Sequence, residues 1–238
     1  MIYNVDYFID ELNKLDILLT DKQINQFIRF YEMLVDKNKV MNLTAITDFD
    51  EVIDKHFLDS LNIFRLVDFK KEKSVLDLGT GAGFPGIPLK IAFPDIKITL
   101  VDSLNKRVLF LNSVVEELGL KDIECVHARA EDLAKDNKYR EKFDLCVSRA
   151  VANLSTLSEY CIPFVKVGGS FISYKSGDCE EEINSSKNAI KLLGAKISKV
   201  ENFEIKDMGR SFVVIDKLSS TAKKFPRKAG LPSKDPLK

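Results

Sequence analysis

Only two histidines, His56 and His127, and four cysteines, Cys125, Cys146, Cys161 and Cys179, are present, and no two cysteines stand in a Cys-x-x-Cys pair. A transition-metal site is therefore not expected. The thiols read as reduced, partly buried side chains, with Cys125 and Cys146 inside apolar, strand-like runs. No apolar run approaches the roughly 20 residues of a membrane-spanning helix. The start, with Asp6, Asp10 and Glu11, is unlike a signal peptide, so the expected compartment is the cytoplasm. Internal repeats and low-complexity tracts are also missing, as is net charge, with 36 basic residues against 36 acidic. That balance is uneven along the chain. Residues 217–238 hold seven Lys or Arg against Asp235 alone, a net +6 that leaves −6 for the remainder. So basic a tail points to an anionic partner, the plainer alternative being a solvated terminus. Phe225, three prolines and Gly230 stiffen the segment and give it something to dock with.

At 238 residues, 45% hydrophobic and 30% charged, the chain has material for one α/β domain with an extension. Its centre is residues 74–84, Ser-Val-Leu-Asp-Leu-Gly-Thr-Gly-Ala-Gly-Phe, followed by Pro85-Gly86. The apolar run predicts a buried strand with Asp77 at its carboxyl end. Gly79, Gly81 and Gly83 then make a turn that lets a ligand touch backbone, and Pro85 suits the first turn of a helix. Lys97–Asp102 predicts a second strand ending in an acid. There Asp102 could accept hydrogen bonds from both hydroxyls of an adenosine ribose.

Residues 2–66 read as helical. Ile2, Val5, Phe8, Ile9, Leu12 and Leu15 recur at helix spacing, and Thr20-Asp-Lys-Gln23 has capping-box form before Ile24, Phe27, Ile28, Tyr31, Leu34 and Val35. A polar break is expected at Asp36–Lys39, and Thr47–Asp50 opens a third helix on which His56 falls near the apolar stripe, a packed rather than catalytic residue. From Lys73 strands and helices alternate. Ser103 is a plausible N-cap for a helix ending at Gly119, and Ile123–Val126 and Phe143–Ser148 are further strands. Val167-Gly168-Gly169 is read as a turn before a strand at Ser170–Tyr174. Lys196–Ile205 and Ser211–Leu218 predict a hairpin whose last strand runs antiparallel to the others.

A dinucleotide fingerprint needs a small residue at position 84, where this chain has Phe84, with a glycine one place earlier. The acid-x-Gly-x-Gly-x-Gly run, with a second acid ending the next strand, resembles class I S-adenosylmethionine methyltransferases. That resemblance implies that Asp77 and the glycine backbone face the methionine portion, Asp102 the ribose, and Glu131 with the Ala130 backbone the adenine edge, with Ser103 a further cofactor-binding candidate. After the fourth strand Ser148-Arg149-Ala150-Val151 offers neither an Asn/Asp-Pro-Pro-aromatic loop nor a cysteine nucleophile. An acceptor whose lone pair is already free, such as guanine N7, suits such a site, and no covalent nucleophile or general base is expected.

Met41-Asn-Leu-Thr-Ala-Ile46, Lys55-His-Phe-Leu-Asp-Ser-Leu61, Asp77–Pro88, Val101-Asp-Ser-Leu104, Arg129-Ala-Glu131, Ser148–Val151 and the tail Lys224–Leu237 come in one order along the chain. In them the sequence resembles the small-subunit ribosomal RNA guanine-N7 methyltransferases, the family also called glucose-inhibited division protein B. The resemblance implies a Rossmann-like class I fold. In it a seven-stranded, mostly parallel sheet with an antiparallel edge strand carries an N-terminal helical extension. It implies S-adenosylmethionine as cofactor, with Gly79, Phe84, Ala130, Glu131 and Arg149 at the cofactor positions. The implied partner is 16S rRNA or the small ribosomal subunit. The chain departs from the family at Lys175-Ser176-Gly177, which bears on how Lys175 is oriented near the target base, and at Thr221-Ala222.

Arg149 could hold the cofactor carboxylate or an RNA phosphate, and the former is favoured. Lys175, Lys223, Lys224, Arg227, Lys228 and Lys234 are candidate RNA contacts. The expected organisation is a helical extension at 1–66, a cofactor-binding domain at 67–218 and a basic tail at 219–238, monomeric by default and with neither metal nor membrane. Rival readings are a small-molecule methyltransferase, a nicotinamide-dependent oxidoreductase, which Phe84 disfavours, and a non-enzymatic RNA-binding protein.

Overall fold

The apolar runs become seven strands: β1 (Ser74–Leu78), β2 (Lys97–Asp102), β3 (Ile123–His127), β4 (Phe143–Ser148), β5 (Val165–Ser176), β6 (Ala195–Ile205) and β7 (Met208–Lys217). They come from a computed structural model that describes residues 3–69, 73–149 and 152–238. Ile2 and the Ala150-Val151 half of the Ser148–Val151 motif lie outside the described residues. All seven strands share one sheet, in the order β3-β2-β1-β4-β5-β7-β6. β1 to β5 pair in parallel, while β7 runs antiparallel to both β5 and β6 and forms the expected hairpin at that edge. The strand order reverses between β1 and β4. In such sheets a ligand crevice opens there, outside the carboxyl ends of the strands.

Helices cover both faces. On one side lie α1 (Asp6–Asn13), α2 (Asp21–Met41) and α3 (Phe49–Val52), then a wide π-helical turn at Ile53–Leu58 that leads into α4 (Asp59–Leu61). The capping box at the start of α2 is closed in both directions between Thr20 and Gln23. The polar stretch Asp36–Lys39 does not break α2, which runs on to Met41. Exposed polar residues are at home on a helix's outer face, and Lys39 reaches Asp36 at i,i+3, 3.2 Å away. Asn42, left-handed at φ 50°, ends it. Further on come α5 (Gly86–Ala92), α6 (Asn105–Glu117), α7 (Ala130–Leu133), α8 (Leu154–Cys161), α9 (Glu180–Leu192) and α10 (Leu231–Lys234).

Two other local expectations change. The glycine pair 168–169 is no turn between elements, because β5 begins at Val165 and runs through it with a shift of register. A Cβ on Gly169 would sit 2.5 Å from the Asp144 carbonyl oxygen, so glycine there serves close strand approach. Ser103 does not cap α6: Leu104 occupies the cap position, and its N–H is accepted by Asp102 Oδ1 at 2.9 Å.

Period-two alternation divides the core. Val75, Leu145 and Val147 join the N-terminal helices in a cluster that contains Phe8, Phe27, Phe30, Phe57 and Phe84. Leu76, Leu78 and Cys146 face Leu154, Leu157, Ile190 and, from the tail, Phe225. Helices α1–α4 thus share one core with the sheet they cover.

Candidate active site

The turn after β1 is built from within. Gly79, Gly81 and Gly83 have φ of 73°, 62° and 102°, where a side chain is strained. A Cβ on Gly83 would lie 2.6 Å from Ile87 Cγ1, and one on Gly86 2.2 Å from Leu100 Cδ2, so these two glycines let α5 close on the sheet. Around Gly81 there is open space. Asp77, fully buried beneath the turn, accepts the Thr80 hydroxyl at 2.7 Å and the Gly86 N–H at 2.8 Å, both on Oδ2. Its Oδ1 is buried without a partner among the described residues. Burial, partly offset by these two bonds, raises the Asp77 pKa to about 6.

Asp102, at the end of the neighbouring strand, ties the same turn from above. Its Oδ2 accepts the Gly81 N–H at 3.0 Å and meets Arg107 Nη1 at 3.3 Å. Beside it opens a cavity of about 480 Å³. Gly79, Asp102, Ser103, Ala130 and Glu131 all contribute to its wall, together with Ser148, Tyr160, Gly230 and Ser233. Five of the expected cofactor residues therefore meet around one space at the carboxyl ends of β1 to β4. Asp77, Gly81 and Gly83 form the turn next to it. Glu131, 5% exposed, accepts the Gly230 N–H at 2.8 Å, which draws the C-terminal tail over the rim.

Phe84 and Arg149 sit elsewhere. The Phe84 ring is enclosed by the N-terminal helices, 5.2 Å from Phe30 and stacked on His56 at 4.5 Å. It belongs to the core and is not among the residues lining the cavity. Arg149 Cζ lies 5.0 Å from the centre of that ring, beside His56, and the side chain lines a second cavity of about 630 Å³. Its Nη1 donates to Asp59 Oδ2 at 2.7 Å and to the Lys55 carbonyl at 3.1 Å, and its Nη2 lies 3.2 Å from His56 Nδ1. Burial, and after it the charge of Arg149, pushes the His56 pKa down to about 3, so the ring is neutral at ordinary pH. Lys175 also lines this second cavity, donating to Glu182 at 2.7 Å and to the Ala152 carbonyl at 3.0 Å, and Arg210 completes its cationic side. Ala152 borders both cavities.

The tail is docked. Arg140 donates to the carbonyls of Thr221 and Phe225, Thr156 to that of Pro232, and Asn188 to that of Lys238. Arg227, a candidate phosphate contact, turns inward on Glu159, which is fully buried and accepts Nη2 at 2.7 Å and Nε at 2.9 Å. Lys223, Lys224, Lys228 and Lys234 are exposed on the tail's outer side.

Residues 23–213 match the family model described as rRNA small subunit methyltransferase G, GidB. The chain belongs to the GidB family. Among curated relatives, the rRNA small subunit methyltransferase G of Clostridium kluyveri is 49% identical over 98% of this chain and 100% of its own. That of Clostridium botulinum, strain Loch Maree, is 50% identical over 95% of each. Two solved structures share the fold at low identity. Matched over 73% of this chain and 80% of its own, M. jannaschii TYW2 in complex with AdoMet has a TM-score of 0.57 at 14% identity. The putative methyltransferase of Bacillus halodurans is matched over 68% of this chain and 99% of its own, with a TM-score of 0.52 at 13% identity. The GidB-like segments quoted from the sequence now fall on the two cavities. His56 and Asp59 stand in Lys55–Leu61, a segment noted for resemblance alone and otherwise read as helix packing. Arg210, Tyr160 and Ser233 carried no signal of their own.

Proposed function

We propose that this chain methylates N7 of a guanine in 16S rRNA by direct displacement, with S-adenosylmethionine in the cavity beside Asp102 and the acceptor in the cavity beside Arg149. Membership of the GidB family makes it a methyltransferase of the small-subunit rRNA. The observation that carries the finer reading is the pair of adjoining cavities at the strand ends, with Ala152 in the wall of both.

The residues fit the cofactor. Asp102 offers a remaining lone pair on Oδ1 to ribose hydroxyls, and Ser103 stands next to it. Ala130 and Glu131 present a backbone edge and a carboxylate where an adenine amine would lie. The open space at Gly81 and the unpartnered Oδ1 of Asp77 leave the turn able to receive a cationic methionine head. When bound, S-adenosylmethionine supplies a methyl group on a positively charged sulfur. A guanine N7 already has its lone pair free. The chain's task is then to align, exclude water and hold the base, and effective molarities of about 10⁵ M or more are known for well-oriented reactants. Arg149, favoured from the sequence as a cofactor ligand, lines the second cavity, and in this reading it faces the acceptor as well. Residues 67–218 form the cofactor-binding domain in this reading, with 1–66 and 219–238 as flanking additions.

Methyl transfer from labelled S-adenosylmethionine to small-subunit rRNA, naked and within subunits, followed by mapping of the modified base, tests this. Label at N7 of one guanine is expected. Asp102→Ala should weaken cofactor binding by about tenfold or more, as hydrogen bonds to a charged group contribute about 1.5–3 kcal/mol. Label on another atom, or on no RNA, would overturn the reading.

A further inference from the structure

We propose that the C-terminal tail supplies a wall of the cofactor site, where the Ser233 hydroxyl bonds the adenine of S-adenosylmethionine beside Glu131. This deepens, and rests on, the reading of the cavity beside Asp102 as the cofactor's.

Two distant stretches of chain close that cavity. Asp102, Ser103 and Glu131 line it from the sheet, Gly230 and Ser233 from the tail. They are joined where Glu131 Oε1 accepts the Gly230 N–H at 2.8 Å, across 99 positions of sequence. A carboxylate has about four lone-pair sites, so this bond orients the group and leaves it able to accept from a ligand amine. Tyr160 lies against the same join, its side chain touching both Ser233 and Glu131. A Cβ on Gly230 would have no atom within 4 Å, so nothing crowds a ligand against that backbone.

Helix α8 fixes the tail in this place. Leu157 and Tyr160 point into the cavity, while Ser155, Thr156 and Glu159 hold the tail. The Ser155 hydroxyl donates to the Leu237 carbonyl, the Thr156 hydroxyl to that of Pro232 at 3.1 Å, and Glu159 accepts from Arg227. These anchors fall before, within and after the stretch Gly230–Ser233, and Pro232 inside it is buried. A wall held in advance loses little freedom when a ligand arrives.

The groups presented match adenine. Its N6 edge sets a donor amine beside the acceptor N7. Glu131 accepts from an amine, and a serine hydroxyl can donate to a ring nitrogen. Lys228 and Lys234 are exposed and do not line the cavity, so the outer side of the same segment is left to RNA.

The test uses S-adenosylhomocysteine, which carries the same adenosine and has no methyl to transfer. Its affinity is measured by calorimetry for wild type, Ser233→Ala, Ser233→Thr and Asp102→Ala. Ser233 is exposed, so its variants should melt within about 2 °C of wild type. Ser233→Ala should weaken binding about fivefold, the loss of one net hydrogen bond. Ser233→Thr keeps the hydroxyl and should stay within about twofold. Wild-type affinity in Ser233→Ala would overturn the proposal. So would Ser233→Thr as weak as Ser233→Ala, since the hydroxyl would then not be the binding group, or tighter binding in Ser233→Ala, which would make the tail an obstruction. If Asp102→Ala weakens binding in any of those cases, the cavity remains the cofactor's and only the part played by the tail falls. Wild-type affinity in Asp102→Ala would strike the reading of the cavity itself.

Discussion

Replacing Arg227 by Ala removes the cation that answers Glu159, a carboxylate with no exposed surface. Four hydrogen bonds go with it, three to Glu159 (Nη2 at 2.7 Å, Nε at 2.9 and 3.1 Å) and one from Nη2 to the Asp235 carbonyl at 2.7 Å, and among the described residues Glu159 keeps the backbone N–H of residue 227 at 2.7 Å. Breaking a buried ion pair by deleting one partner costs about 3–5 kcal/mol, because the survivor stays buried and uncompensated. For a chain of this length each kcal/mol moves the melting temperature by about 2–4 °C, so a fall of about 6–20 °C is expected. The molecule has one escape, which is to let the tail swing away so that water reaches Glu159. Phe225, 5% exposed, would then lose its place in the core. Two assays cover both responses: chemical denaturation, and limited proteolysis within residues 219–238. The double variant Glu159→Gln with Arg227→Ala leaves no stranded charge and should recover most of the loss. An Arg227→Ala protein within about 1 kcal/mol of wild type, its tail still protease-resistant, would show that the pair behaves like a surface contact and refute the reasoning.

Phe84→Ala should cost about 3–5 kcal/mol in denaturant unfolding, since the ring is 5% exposed and packed between Phe30, His56 and Arg149; a cost under about 1 kcal/mol would contradict its assignment to the core. Changing Lys223, Lys224, Lys228 and Lys234 together to Ala should lower RNA affinity and flatten its salt dependence by about 0.7–0.9 for each phosphate no longer neutralised, with cofactor affinity preserved. An unaltered slope would remove the tail's outer side from the RNA interface. Asp77 has a raised folded-state pKa, about 6 against an ordinary 3.8. Its protonated form therefore adds stability that is fully present below about pH 4 and is lost as pH rises through about 6. The stability of wild type relative to Asp77→Asn should fall by up to about 3 kcal/mol across that window, and a difference constant with pH would show that the carboxyl is not desolvated.

What could be read from the sequence was local in the chain. Asp77, the three glycines and Asp102 fall within 26 consecutive residues, and each announces its backbone need by residue type, so the first cavity was legible. The second was not, because its parts meet only through the fold. Asp59 and Arg210 are 151 residues apart, Arg149 and Asp59 90. His56 looked like packing because it is packing: it stacks on Phe84 while touching Arg149. Arg227 shows the converse case. A basic run invites a phosphate, and nothing short of the buried position of Glu159 on α8 reveals that one member faces inward. Gly168-Gly169 was misplaced for a related reason, since glycine marks a turn and a close strand approach alike.

The wide turn at Ile53–Leu58 acts as a phase adjuster. An α-helix turns about 100° per residue, so the extra residue in a π-helical turn sets α3 and α4 out of step. Upstream, Val52 and Ile53 address the core; downstream, Asp59 addresses the arginines, with His56 between. Deleting one residue here would restore a regular helix and leave its content intact, yet rotate Asp59 by roughly a quarter turn away from both partners. Leu61 and Ile63, both in the core, would turn with it, so the lesion would show in denaturant unfolding even where circular dichroism kept its helical signal. The irregularity in the helix therefore keeps two jobs of one segment in register, the apolar cover of the sheet and the Asp59 ion pairs.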